Sequence, residues 1–121
     1  MKELKFAPRP AVHVLKAVLD GDDFITIRIG DEKNIGAGDV IDAVLSDTGE
    51  PLCVLVVTST FELRASDAFR YADEHEARYL HDGWYSFAEA MDGYYGDQWF
   101  GGETPVKAIT LRKAMDTERD P

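Results

Sequence analysis

DGDDFITIRI, residues 20–29, is the stretch on which the architecture turns. Gly21 stands where a preceding helix must stop, because a left-handed cap costs glycine least. Phe24 to Ile29 alternates as a strand does. Ile25, Ile27 and Ile29 project to one side; Phe24, Thr26 and Arg28 project to the other. The isoleucines belong in a core, so Thr26 and Arg28 are expected to share the opposite face and to line a cleft. Upstream, Pro8 and Pro10 open a helix expected over Ala11–Asp20, since proline is tolerated in a first turn. Val14, Leu15, Val18 and Leu19 form its apolar face. Lys2–Phe6 alternates enough for a short first strand.

Downstream, IGAGD at residues 35–39 is a glycine turn into a strand over Val40–Leu45. Asp47, Thr48 and Gly49 signal a hairpin. Leu52–Thr60 is β-branched and apolar on both faces, as suits a central strand of a closed or covered sheet. Ala65–Leu80 turns helical, with Ser66 as cap, and Gly83 breaks it. Ser86–Met91 is a shorter helix, and Val106–Leu111 is a last strand. The order is β-α-β-β-β-α-α-β. It predicts an α+β fold: a small β-barrel or a strongly curled mixed sheet, flanked by two to three helices. Residues 1–112 are expected to form one domain and residues 113–121 a polar tail.

The 121 residues, 45% hydrophobic and 30% charged, suffice for one modest core. They exclude a TIM barrel and a doubly wound enzyme with a separate substrate domain. The longest apolar run, Leu52–Val57, is too short to span a bilayer, so no membrane partner is expected. MKELKFAPRP lacks the apolar run of a signal peptide, which points to the cytoplasm. Cys53 is the lone cysteine, so no internal disulfide can form.

Net charge is −10, which argues against a preference for duplex DNA, because that binding is driven by phosphate neutralisation. The charge is uneven: residues 1–19 are net positive, through Lys2, Lys5, Arg9 and Lys16. A local basic patch involving Lys5, Arg9, Lys16 and Arg28 is therefore compatible with an acidic protein.

No metal motif stands out. His13, His75 and His81 lack paired spacing, and Asp20, Asp22 and Asp23 do not continue as a calcium loop. No cofactor is implied. There is no nucleophile elbow, P-loop or dinucleotide fingerprint. The aromatics say more. Trp84, Tyr85, Phe87, Tyr94, Tyr95, Trp99 and Phe100 crowd 17 residues. Some must build core, and exposed rings beside a cleft could stack on a nucleobase.

GDDFITIR, with the preceding LKF and helix and the following GAGDVI, resembles an ASCH domain of the PUA-like superfamily. The family motif is G-x-K-x-x-E-x-R, sometimes with Thr for Glu. Gly21, Thr26 and Arg28 match it, and Gly38-Asp39 matches a glycine-aspartate before the next strand. HDGWYSFAEAM and VKAITL resemble a later helix and the closing strand. The resemblance covers about residues 2–112.

It implies a small β-barrel with a cleft beside the motif strand, and RNA or nucleotide binding. It also implies, from one bacterial branch, hydrolysis of N4-acetylcytidine with a motif lysine, the threonine and an acid. Carried over, the threonine is Thr26. The acid is Asp82, with Glu74 and Glu76 as rivals. The lysine position holds Asp23, and Lys16 is a candidate substitute. An aspartate there would repel an oxyanion, where a lysine would attract it.

The expected function is therefore a binding module for a nucleobase-containing ligand, single-stranded RNA or a nucleoside. Arg28 would anchor phosphate or a carbonyl oxygen, Thr26 would bond a base edge, and Trp84 or Tyr85 would stack. Asp23, Arg9 and Lys16 complete the expected binding set. The alternatives are an amidohydrolase using Thr26 and Asp82 on N4-acylcytidine, and an acidic protein-interaction domain.

Overall fold

A computed structural model describes residues 2–30, 34–74 and 83–119. The strands are β1 (Lys2–Phe6), β2 (Phe24–Arg28), β3 (Val40–Leu45), β4 (Pro51–Arg64) and β5 (Pro105–Lys113). The helices are α1 (Pro8–Asp20), α2 (Ala65–Glu74), α3 (Trp84–Tyr95) and the single turn α4 (Asp116–Arg119).

The five strands form one sheet in the order β1-β3-β4-β5-β2. β1 runs parallel to β3, and every other pair is antiparallel. The sheet is mixed and strongly curled into a half-barrel, the second of the two expected forms. Its curl has a local cause. β4 is 14 residues long; its first half pairs with β3 and its second with β5. The register slips between Ala43 and Val44 and again between Val57 and Ser59. An extra residue on one strand bends it and raises the twist.

Both faces of the sheet are covered. One core unites Leu4, Phe6, Phe24, Ile41, Leu55, Ile109 and Leu111 with Ala11, Val14 and Ala17 of α1. The other unites Ile25, Ile27, Val106 and Ala108 with Ala65, Ala68, Ala72, Phe87 and Met91 of α2 and α3. β2 therefore lies between two cores. Its isoleucines are buried as expected, but the opposite face also enters a core, through Phe24.

α1 begins three residues before its expected start, at Pro8, because both prolines sit in the first turn, where no N–H partner is required. Gly21 closes it at φ 74°, donating to the carbonyls of Ala17 and Val18. The buried face of α1 corrects the expectation. Ala11, Val14 and Ala17 meet the sheet, while Leu15 is exposed and Leu19 is 87% exposed. The small alanines allow close approach to β-strand side chains, and the leucines are rotated outward. Ser66 is likewise no cap. It lies inside α2, and its N–H donates to the Gly102 carbonyl at 3.0 Å. A Cβ at Gly102 would sit 3.2 Å from the Ser66 Cβ, a tight approach that a side chain there would have to push apart by a few tenths of an ångström.

The chain stays attached beyond residue 112. Ala114 is buried, and Arg112 makes a two-pronged pair with Glu118 at 2.7 and 2.8 Å. Arg112 and then the Met115 N–H hold the Glu118 carboxyl at about 2, from 4.5. On the other flank of β4, the Lys2 ammonium and then the Gly36 N–H hold Asp39 below the usual carboxylate range. Carboxyls held low by folded partners add stability above their unfolded range and lose it as pH falls through the folded value. Thermal melts from pH 5 to pH 2 should therefore show a falling Tm. Glu118→Gln should flatten that fall, and an unchanged slope would mean the clasp does not form in solution.

Candidate functional site

The two ends of the sheet, β1 and β2, face each other across a cleft of about 420 Å³. β1 contributes Lys5 and Phe6, followed by Ala7 and by Pro10 of α1. β2 contributes Ile25, Thr26, Ile27 and Arg28. Ser46 lies at the end of β3. α3 supplies the remaining wall with Phe87, Met91, Tyr94 and Tyr95, at i, i+4, i+7 and i+8, one helical face. The cleft thus occupies the seam at which the half-barrel does not close.

Arg28 spans that seam. Its Cζ lies 4.8 Å from the centre of the Phe6 ring, and its Nε donates to Thr26 Oγ1 at 3.0 Å. Ring and hydroxyl fix the guanidinium plane. Thr26 itself is buried. Lys5 is exposed on its strand, between the buried Leu4 and Phe6. Among the described residues, every charged side chain lining the cleft is a cation, and no carboxylate lines it. The volume lies in the range of clefts that hold one small molecule.

Thr26 and Arg28 thus stand together, and Lys5 joins them. Arg9 and Lys16 are exposed on α1 and do not line the cleft. Asp23 is also exposed and outside the lining. Its charge acts on Arg112 of β5, a neighbour of the pairing Phe24–Leu111. Asp82 and Glu76 lie outside the described residues, as does the Glu74 side chain.

The aromatic run divides. Trp84 packs with Phe69, Phe87 and Trp99, with ring centroids 5.6–6.1 Å from its own. It is part of the α2–α3 core. Tyr85 is 88% exposed and lies outside the lining. Tyr94 and Tyr95 are the tyrosines at the cleft. Helical periodicity from Phe87 would have found them, had the helix been extended past Met91. Among the described residues, no group of histidine, cysteine and acidic side chains could hold a metal ion, and no helix is long and apolar enough to cross a membrane.

No protein-family model and no curated protein matches the sequence. Solved structures do match the fold. An ASCH domain from Lactobacillus crispatus superposes with a TM-score of 0.57 at 14% identity, over 92% of this chain and 79% of that one. A DUF984 protein from Enterococcus faecalis superposes with a TM-score of 0.62 at 14% identity, over 99% and 82%. The chain has the fold of an ASCH domain. At this identity the likeness concerns backbone architecture, and chemistry must be argued from the cleft's own side chains.

Proposed function

We propose that this ASCH-like domain binds a nucleobase-containing ligand, single-stranded RNA or a nucleoside, in the cleft between β1 and β2. One observation carries the reading. A cleft sized for one small molecule combines Tyr94 and Tyr95 at its wall with a positioned Arg28–Thr26 pair and no lining carboxylate among the described residues. Aromatic side chains bind any base by stacking, at roughly 1–3 kcal/mol per base. Arg28 then anchors phosphate or a carbonyl oxygen, and Thr26 hydrogen-bonds a polar base edge. The acidic surface elsewhere keeps long polyanions away, so the ligand is a short or single-stranded species.

A second reading, hydrolysis of N4-acylcytidine, is favoured by the position of Thr26 within the same cleft. Its hydroxyl would attack the acyl carbon, the C–N bond would break with the amine taking a proton, and water would release the acid. Calorimetric titration with the four nucleosides and a short single-stranded RNA tests the first reading, and deacylation of N4-acetylcytidine tests the second. Binding of at least one nucleoside or the RNA, lost when Thr26 and Arg28 are both replaced by alanine, is the expected result. Absence of binding to all of them would overturn it.

A further inference from the structure

We infer that the cleft selects a phosphorylated ligand, a nucleoside monophosphate in preference to the bare nucleoside; this rests on the nucleobase reading above. The chain carries 23 acidic and 13 basic residues, yet the charged side chains lining the cleft among the described residues are Lys5 and Arg28. A neutral nucleoside would gain little from two cations, whereas a phosphate gains charge-assisted hydrogen bonds from both. The two cations are also of different kinds. Arg28 is held in one plane by Phe6 and Thr26, which suits bidentate contact with phosphate oxygens. Lys5 is a point charge from the facing edge and, among the described residues, has no ion pair, whereas Lys2, Arg64 and Arg112 are paired to carboxylates.

The surroundings agree in sign. α1 starts at the cleft, where Ala7 and Pro10 line it. Its first turn has no acidic side chain, and Ala7 offers no side-chain cap. Pro8 and Pro10 lack N–H groups, and the helix adds no carboxylate to oppose Lys5 there. Phosphate at this end leaves Tyr94 and Tyr95 of α3 for the base. The cleft's volume of about 420 Å³ is in the range that holds one such nucleotide.

The test is calorimetry on the full chain at low salt, with each nucleoside, its 5′-monophosphate, inorganic phosphate and a short RNA. At least one monophosphate should bind about tenfold or more tightly than its nucleoside, as one added charge-assisted contact warrants. That advantage should shrink as salt rises. Lys5→Gln should erase most of the advantage of the monophosphate over its nucleoside. Equal affinity for nucleoside and monophosphate would overturn this inference and leave the nucleobase reading standing. Inorganic phosphate binding as tightly as the monophosphate would overturn the nucleobase reading instead. RNA affinity that climbs with each added nucleotide would overturn the single-nucleotide assignment.

Discussion

Phe87→Ala is expected to cost about 3–5 kcal/mol of folding stability, the range for losing a buried aromatic ring. The ring is 2% exposed and packs against three others, with centroids 5.5 Å from Phe69, 5.6 Å from Trp84 and 5.8 Å from Trp99. These contacts join α3 to α2 and to the loop before β5. α3 has no side-chain cap at Gly83, so its stability depends on packing. A domain of this size is stable by roughly 5–15 kcal/mol, so the variant should sit near the edge of folding. Urea unfolding measures it, with Tyr85→Ala as control. Tyr85 lies two residues earlier on the same helix and is 88% exposed, and its loss should be nearly neutral. A shift at Phe87 worth less than about 1 kcal/mol would mean that α3 is anchored by something other than this cluster. Because Phe87 also walls the cleft, ligand affinity should fall in the same variant even under conditions where it remains folded.

The strands were legible in the sequence because their signals are local. Alternation at Lys2–Phe6 and Val40–Leu45 gave bounds that the structure reproduces. Where signals depended on partners, they failed. β4 runs on to Arg64 because Phe61, Glu62 and Leu63 find a full ladder on Ala108, Lys107 and Val106 of β5, which no run of apolar residues announces. The face of α1 is legible only in part: Val14 is buried and Val18 packs on the core as expected, whereas Leu15 and Leu19 turn outward and the sheet accepts Ala11 and Ala17. Ser66 has a capping side chain but sits one residue inside the helix.

The cleft shows the same division. Thr26 and Arg28 were legible because they lie on one strand two residues apart. The expected basic patch groups Lys5 with Arg28, but Phe6 was not legible as a partner, because it comes 20 residues before Thr26 and only the order β1-β3-β4-β5-β2 brings the two sheet ends face to face. Trp84 and Tyr85 looked suited to stacking by residue type alone. Helical rotation sends Trp84 into the core and Tyr85 to solvent, and brings Tyr94 and Tyr95 to the cleft. The acidic total likewise hid a cationic lining, since net charge averages over a surface that a ligand never sees as a whole.

Arg28→Lys is expected to lower affinity for the bound nucleotide by about 10–100-fold, although the formal charge is unchanged. Hydrogen bonds to a charged group contribute roughly 1.5–3 kcal/mol each, and a lysine retains charge without the fork. Nε of Arg28 is committed to Thr26 at 3.0 Å, and its Cζ rests 4.8 Å from the Phe6 ring centre. These contacts orient the terminal nitrogens before any ligand arrives, so little rotamer freedom remains to be lost on binding. An ammonium on a flexible stem can donate to Thr26 but cannot reproduce the planar stacking or leave a forked pair of donors in one plane. The comparison with Lys5 makes the result diagnostic. Lys5→Arg, which keeps charge at an exposed position, should bind as wild type, whereas Arg28→Lys should not. Folding stability should drop only modestly for Arg28→Lys, by about 0.5–1 kcal/mol for the ring contact at a partly exposed site. Calorimetry gives the affinities and urea unfolding the stabilities. Equal affinities for wild type and Arg28→Lys would mean that a point charge suffices, and that the Phe6–Arg28–Thr26 arrangement serves only to close the seam between β1 and β2.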